Sequence, residues 1–367
     1  MTSAEYLHMA FLLSKKANSK DIRPNPFVGA ILVDQNGSII GEGYHQKAGE
    51  GHAEVNAIRN AKEKVSDLSS CTLYVTLEPC SHFGKTPPCT SLIIENKISK
   101  VVIGSMDPNP LVSGVNVLEA AGIEVEICIL PEINELNSVF TINHKYKRPK
   151  YLLKTATTIN GKIADRNASS KWISNNNSRK LVHEKLRSSV DAILTTAKTV
   201  IKDNATMNIR VGQEKVEELN AIIIDKNLDL LKQENASLNI FYPRTKSKIY
   251  LVTDKIQEGV LPDNLEVIQI PFTNGACDMD QLNADLIKKN FCEILVEAGG
   301  KLNASMIKEK QIDEIYLFIA PSLIIDTHAI NAFNLDELQL MDNKTVLKLI
   351  ETTIIDEDVL IRYQLSY

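Results

Sequence analysis

The 367-residue chain lacks most of what would direct it to a membrane or a polynucleotide. No apolar stretch is long enough to cross a bilayer as a helix. No basic run is present, and the net charge is −5, which argues against nucleic acid as a partner. The first residues carry Glu5, His8, Lys15 and Lys16 and do not resemble a signal peptide. No G-x-G-x-x-G occurs, so the common dinucleotide fingerprint is missing. There is one tryptophan, Trp172, and there are six cysteines. Two of those cysteines fit a metal site better than a disulfide, which points to a reducing cytoplasm. What remains is an apolar fraction of 44%, sufficient for sizeable cores, in a length that suggests two domains.

Three separated residues carry the strongest chemical signal: His52, Cys80 and Cys89. One His and two Cys form a three-ligand zinc set, and a catalytic zinc site keeps its fourth position for water. Zinc lowers the pKa of such a water towards neutrality. Glu54 lies two residues from His52 and is free to shuttle the proton that attack on an amino-bearing ring carbon requires. This H-x-E…P-C order is that of the zinc deaminases. Val55, Ala57, Ile58 and Ala61 continue from Glu54 with helical periodicity, so His52 and Glu54 are expected in a first helical turn. Residues 71–77 read as a buried strand. Pro79 suits a helix start, which would put the Cys80 thiolate at a helix N-terminus. Cys71, Cys128, Cys277 and Cys292 read as buried thiols.

Eight residues, 81–88, separate the two cysteines, where nucleoside and editing deaminases carry two. That segment, with Arg23–Gly29, Gly41–His45 and Asp107–Pro110, resembles the deaminase half of the bifunctional deaminase/reductase family of riboflavin biosynthesis. Gly51 stands where many relatives have Pro. The resemblance implies a cytidine-deaminase-like three-layer α/β domain. It would deaminate 2,5-diamino-6-ribosylamino-4(3H)-pyrimidinone 5′-phosphate.

Strand and helix patterns alternate along both halves, as in α/β domains. Residues 3–19 read as a helix, Val28–Val33 and Ser38–Gly43 as a hairpin, and Pro131–Asn143 as one closing helix. The polar His144–Pro149 stretch marks the boundary, giving a deaminase domain over 1–146 and a second domain over 147–367. Strands are expected at 151–156, 190–195, 221–225, 248–252, 293–297 and 314–319. Glu297-Ala298-Gly299-Gly300 leads from a strand into a helical pattern, where backbone can approach a phosphate.

The second half resembles the same family's reductase domain, through Lys154–Ala164, Ser170–Ile173, Val182-His183 leading to Leu186-Arg187, Asp191–Leu194, Thr199-Val200, Asp203-Asn204, Arg210, Glu297–Gly300 and Ala320-Pro321. The resemblance implies a dihydrofolate-reductase-like α/β fold that reduces the ribosyl group to ribityl with NADPH. It implies that Ala156, Trp172, Thr199, Asp203, Gly299, Gly300, Lys301, Leu302 and Asn303 line the cofactor site. Ser170, Arg187, Met207, Arg210 and Glu297 would meet the phosphoribosyl substrate, the arginines as bidentate anion ligands. A homo-oligomer is the family expectation. The chain departs from the family pattern at Asn160 (usually Asp), at Lys198 and at Ala205–Met207, and Asn177–Lys185 runs one residue long. These departures motivate the alternative of a monofunctional deaminase with a non-catalytic second domain. A polynucleotide-editing deaminase is the other rival, opposed by the acidic balance and the long inter-cysteine segment.

Overall fold

The computed structural model describes residues 1–83, 87–170, 173–212, 215–242, 244–257, 259–335 and 340–366. The chain divides into two compact units, Met1–Arg148 and Pro149–Tyr367.

The first unit runs α1 (Ser3–Ser14), α2 (Ser19–Ile22), β1 (Gly29–Val33), β2 (Ile39–Tyr44), α3 (Ala53–Lys62) and β3 (Thr72–Val75). It continues with α4 (Cys89–Glu95), β4 (Lys100–Ile103), α5 (Gly114–Ala120), β5 (Glu124–Ile127), α6 (Pro131–Leu136) and α7 (Ser138–Tyr146). The sheet order is β2-β1-β3-β4-β5. β1 is antiparallel to both neighbours, and β3, β4 and β5 are parallel. Strand alternation sends Ile31, Val33, Tyr74 and Val102 against α1. It sends Ala30, Leu32, Leu73, Val75, Val101 and Ile103 against α3, α4 and α5. The result is three layers. β2 lies so close to α3 that a Cβ on Gly43 would sit 2.4 Å from the Ala57 nitrogen, so the Gly41–Gly43 motif serves packing.

Several helical readings need correction. The helix expected over 3–19 ends at Ser14, and a separate short helix starts at Ser19. The expected closing helix is two helices, broken at Asn137. The Asn137 amide donates to Phe27 O at 2.9 Å and accepts from Phe27 N–H at 2.8 Å. This clamp holds the start of α7 on the 24–28 loop. No helix starts at Pro79. The helix of that segment begins at Cys89 itself, with Pro88 as its N-cap.

The second unit contains β6 (Lys150–Thr158), β7 (Lys162–Ala164), α8 (Asn176–Leu181), β8 (Ala192–Thr196), α9 (Ala197–Asp203), β9 (Ile209–Val211) and β10 (Lys215–Glu217). Then follow β11 (Asn220–Ile224), β12 (Ile249–Thr253), β13 (Leu265–Gln269), β14 (Phe272–Thr273), β15 (Ala276–Cys277) and α10 (Met279–Lys288). The unit ends with β16 (Glu293–Val296), α11 (Gly300–Lys308), β17 (Glu314–Ala320), β18 (Ile330–Asn331), β19 (Leu347–Ile355) and β20 (Asp358–Leu365). One large sheet has the order β13-β12-β11-β8-β16-β6-β17-β20-β19. It is parallel up to β17 and antiparallel beyond it. Both faces are covered, one with Val182, Leu186 and Val200, the other with Leu282, Leu286 and Met306. Burial on both sides explains the near-continuous apolar runs of the parallel strands. After α8 the chain winds as a π-helix over Val182–Arg187. A π turn takes up one residue more than an α turn, as the added residue expected in this stretch would require.

Candidate active sites

In the first unit, His52 is the N-cap of α3 rather than part of its first turn, and its extended backbone swings the ring off the helix end. Cys80 sits on the loop after β3, and Cys89 opens α4. His52 Nδ1 lies 3.2 Å from Cys89 Sγ and 3.6 Å from Cys80 Sγ. The donor atoms of the three residues fall within 4.8 Å of one another. The Cys89 N–H donates to Cys80 Sγ at 3.3 Å. The helix-end stabilisation expected for Cys80 therefore comes from outside, from the N-terminus of α4. A hydrogen bond with Cys89, and His52 beside it, bring the Cys80 thiol down to about 4. The Cys89 thiol, sharing that proton in a buried place, is pushed up. Two thiols and an imidazole converging this closely are a set that a divalent ion with a taste for sulfur fits, and such an ion deprotonates both thiols.

Glu54 follows in the first turn of α3, 4% exposed. Burial raises its carboxyl above the ordinary value, against the pull of His52. His45, also buried, stands edge-on to His52 with ring centroids 5.6 Å apart. Its Nδ1 is 3.3 Å from Gly51 O and its Nε2 3.0 Å from Asn25 Nδ2. Those partners fit a neutral ring with Nδ1–H donating and Nε2 accepting. Burial also lowers the pKa of His45, in keeping with that form.

Asn25, His45, His52, Glu54 and Cys80 line a cavity of about 360 Å³, together with Asp107, Asn109, Phe140 and His144. Burial pushes the Asp107 carboxyl up to about 6. Glu78 latches the far rim: its carboxylate accepts from the Asp107 N–H at 3.3 Å and the Val115 N–H at 3.1 Å. Sequence reasoning quoted Asn25, His45, Asp107 and Asn109 as motif members without giving them a place in the site. It had no signal for Phe140 or His144.

In the second unit, Arg187 and Glu297 were each expected to meet substrate. The structure pairs them with each other, Nε to Oε1 at 2.7 Å and Nη2 to Oε2 at 3.0 Å. Arg187 Nη1 also donates to Asn208 O at 2.6 Å. Burial would push Glu297 up, but the Arg187 guanidinium, with Lys154 near it, overrides this and holds the carboxyl at about 2. Burial pushes the Lys154 ammonium down. His183 accepts the Arg210 N–H at Nδ1, 3.0 Å away, and burial beside two arginines holds it at about 3, hence neutral. Arg210 itself is exposed on β9. These groups form one cationic cluster around a single carboxylate.

The remaining reductase residues divide. Thr199 lies in the first turn of α9, its hydroxyl 3.1 Å from that of Thr196, and Asp203 ends that helix, exposed. Ala156 is partly buried on β6, and Ser170 is partly exposed. Trp172 lies outside the described residues. Met207, expected to meet substrate, is 4% exposed and packs in the core cluster of this unit. Along α11 the five-residue run also splits. A Cβ on Gly299 would meet nothing within 4 Å, whereas one on Gly300 would sit 2.1 Å from Asn331 O. Lys301 is exposed, Leu302 packs against the core, and Asn303 is buried with Nδ2 donating to Ala332 O at 3.0 Å. Asn160 explains itself: its Nδ2 donates to Ile324 O at 2.9 Å, which an Asp could not do.

Residues 1–105 match the family model for the cytidine and deoxycytidylate deaminase zinc-binding region. Residues 149–361 match that for the RibD C-terminal domain. The riboflavin biosynthesis protein RibD of Actinobacillus pleuropneumoniae is 37% identical over 99% of this chain and 95% of its own. That of Aquifex aeolicus is 38% identical over 87% of each. Among solved structures, the diaminohydroxyphosphoribosylaminopyrimidine deaminase/5-amino-6-(5-phosphoribosylamino)uracil reductase of Thermotoga maritima superposes with a TM-score of 0.81 at 32% identity, covering 99% of both chains. RibD of Acinetobacter baumannii gives 0.79 at 30% identity, again over 99% of both. The likeness runs through both halves, so a monofunctional deaminase is not favoured. The chain belongs to the RibD family of riboflavin biosynthesis, whose members join a zinc-binding deaminase domain to a reductase domain in one bifunctional enzyme.

Proposed function

We propose that the first unit hydrolyses 2,5-diamino-6-ribosylamino-4(3H)-pyrimidinone 5′-phosphate to the corresponding uracil and ammonia, and that the second reduces the ribosyl arm of that product to ribityl phosphate. The observation that carries the first half is the convergence of His52, Cys80 and Cys89 within 4.8 Å, beside a cavity that His52, Cys80 and Glu54 line. His52, Cys80 and Cys89 would hold one zinc ion. When bound, zinc supplies Lewis-acid activation of water at neutral pH. Glu54 takes the proton that the attacking water gives up and delivers it to the departing amino group. Burial raises its pKa, which favours the protonated form it must hold between the two transfers. His45, fixed and neutral, presents a defined edge beside His52.

In the second unit the reduced nicotinamide of NADPH supplies the hydride, and the protein supplies position and charge. The open approach at Gly299 and the N-terminus of α11 suit a cofactor phosphate. Ala156, Thr199, Asp203 and Lys301 would complete that side. Arg210 is exposed and suited to the substrate phosphate, with Ser170 assigned to the same side by the family resemblance alone. Arg187 holds the Glu297 carboxylate ionised and oriented, so that it accepts from sugar hydroxyls. The same reading makes the enzyme a cytoplasmic homo-oligomer acting on small molecules, supported by its six free cysteines and by the family pattern. The test is purified protein with the diaminopyrimidine phosphate, with and without NADPH. Ammonia release without NADPH, followed by loss of NADPH absorbance when it is added, is expected. Ammonia with no NADPH consumption would leave only the deaminase half standing.

A further inference from the structure

The deaminase family model ends at residue 105 and the reductase model begins at 149. The segment between them nevertheless supplies part of the deaminase cavity, through Asp107, Asn109, Phe140 and His144. Phe140 and His144 stand one turn apart on α7, with ring centroids 4.3 Å apart and planes tilted 52°. Phe140 is the one carbocyclic ring among the described residues lining the cavity. The helix is not loosely placed. Asn137, 4% exposed, exchanges two hydrogen bonds with the backbone of Phe27, and the neighbouring Pro24, Asn25, Pro26 and Val28 line the same cavity.

We propose that Phe140 and His144 form an aromatic wall that holds the planar pyrimidine ring of the substrate in the deaminase cavity, one ring packing on its face and the other, tilted 52° to the first, closing on its edge, with Asn137 as the residue that positions them. Flat aromatic faces pack on any heterocycle, while the polar groups of the cavity read its edges. Burial, with Lys147 nearby, lowers the pKa of His144, so the ring is neutral near pH 7 and serves as a surface rather than as a phosphate clamp. The wall would give the enzyme its hold on the ring, independent of the metal set.

The proposal rests on the deamination reading above, and its test separates the two. Full-length zinc enzyme is assayed for ammonia release from the diaminopyrimidine ribosyl phosphate in wild type, Phe140→Ala, Phe140→Leu, His144→Ala and His144→Phe. Binding of the same compound is measured by calorimetry in a Glu54→Gln background. Both alanine variants should raise KM and Kd roughly five- to a hundredfold, the scale of one lost stacking contact. Their kcat should change far less, and zinc content should stay the same. His144→Phe should restore most of the loss. Unchanged KM and Kd in the truncated variants, or a fall in kcat alone, overturns the wall. If Phe140→Ala loses its fold, Phe140→Leu and the His144 pair decide. If the wild type releases no ammonia, the deamination reading fails; the wall then stands or falls on whether truncation weakens Kd.

Discussion

Glu54 and Glu297 are both enclosed by protein, and their carboxyls are driven in opposite directions. Glu54 is pushed up because burial outweighs a histidine neighbour. Glu297 is held at about 2 because a bidentate guanidinium outweighs burial. Burial sets the size of the stake, and the partner sets the sign. The deaminase site leaves its carboxyl able to exchange a proton. The reductase site locks its carboxylate as a fixed charge. The difference accords with the proposed roles: a proton shuttle needs a carboxyl able to change its protonation state, while hydride transfer needs a substrate held still.

The comparison breaks most visibly at the metal set. Cys80→Ser should remove zinc and deamination together, to below about a thousandth of wild-type turnover, since a catalytic zinc site has three protein ligands and none to spare. NADPH binding should persist. Metal analysis with parallel ammonia assays decides this, and a variant retaining both zinc and turnover would sink the assignment. Glu54→Gln should keep the zinc and lose at least about two orders of magnitude in turnover, the usual scale of a general acid/base. Loss of zinc in that variant would make Glu54 a ligand instead.

The candidate deaminase site could be picked out in the sequence because His52, Glu54, Cys80 and Cys89 lie in two short segments, and the structure brings the donor atoms of His52, Cys80 and Cys89 together. Even so, the helix expected at Cys80 begins at Cys89. Proline permits a helix start but does not compel one, and the N-terminal N–H reaches Cys80 through space. The reductase site was legible only as a set of names. Arg187 and Glu297 are 110 residues apart, and no local pattern says that they pair. Met207 was named from its position in a pattern, which carries no information on its burial in the core. The strands buried on both faces were read because they are apolar throughout. The hairpin of β19 and β20 was not, because most of β19 is exposed and its alternation carries little signal. The break at Asn137 depends on a partner 110 residues away.

Breaking the Arg187–Glu297 pair should expose the other side of the comparison. Both side chains are largely buried, 12% and 15% exposed. Arg187→Met strands a carboxylate and should cost the second unit about 3–5 kcal/mol, while Arg187→Met combined with Glu297→Leu should recover much of it. Calorimetric melts of the two variants test this; equal losses would mean that the charge is not what matters. The pH dependence follows from the signs. Glu297 has a depressed pKa, so its stabilisation is present above about 4.5 and is lost as pH falls towards about 2. The melting difference between wild type and the double variant should shrink over that window. Glu54 has a raised pKa, so in zinc-free protein its cost grows as pH rises above the ordinary carboxylate value. Glu54→Gln should therefore raise the zinc-free melting temperature at pH 7, while Glu297→Gln lowers it. The same direction of change in both would refute the contrast.

The finest comparison lies between two adjacent glycines of the reductase unit. A side chain on Gly300 would run into the Asn331 carbonyl at 2.1 Å, so something must shift. Gly300→Ala should cost roughly 1–3 kcal/mol in stability, the range for overpacking, whether or not cofactor is present. Gly299 has an ordinary extended backbone and open space where its Cβ would be. Gly299→Val should therefore melt like wild type. If a cofactor phosphate approaches the α11 N-terminus there, the β-branched side chain takes its room, and the NADPH Kd should rise by about tenfold or more while deamination continues. Fluorescence titration with NADPH and a thermal melt on the same samples give both answers. A Gly299→Val protein that binds NADPH normally would place the cofactor elsewhere in the unit, and one that melts early would show that Gly299, like Gly300, is there for packing.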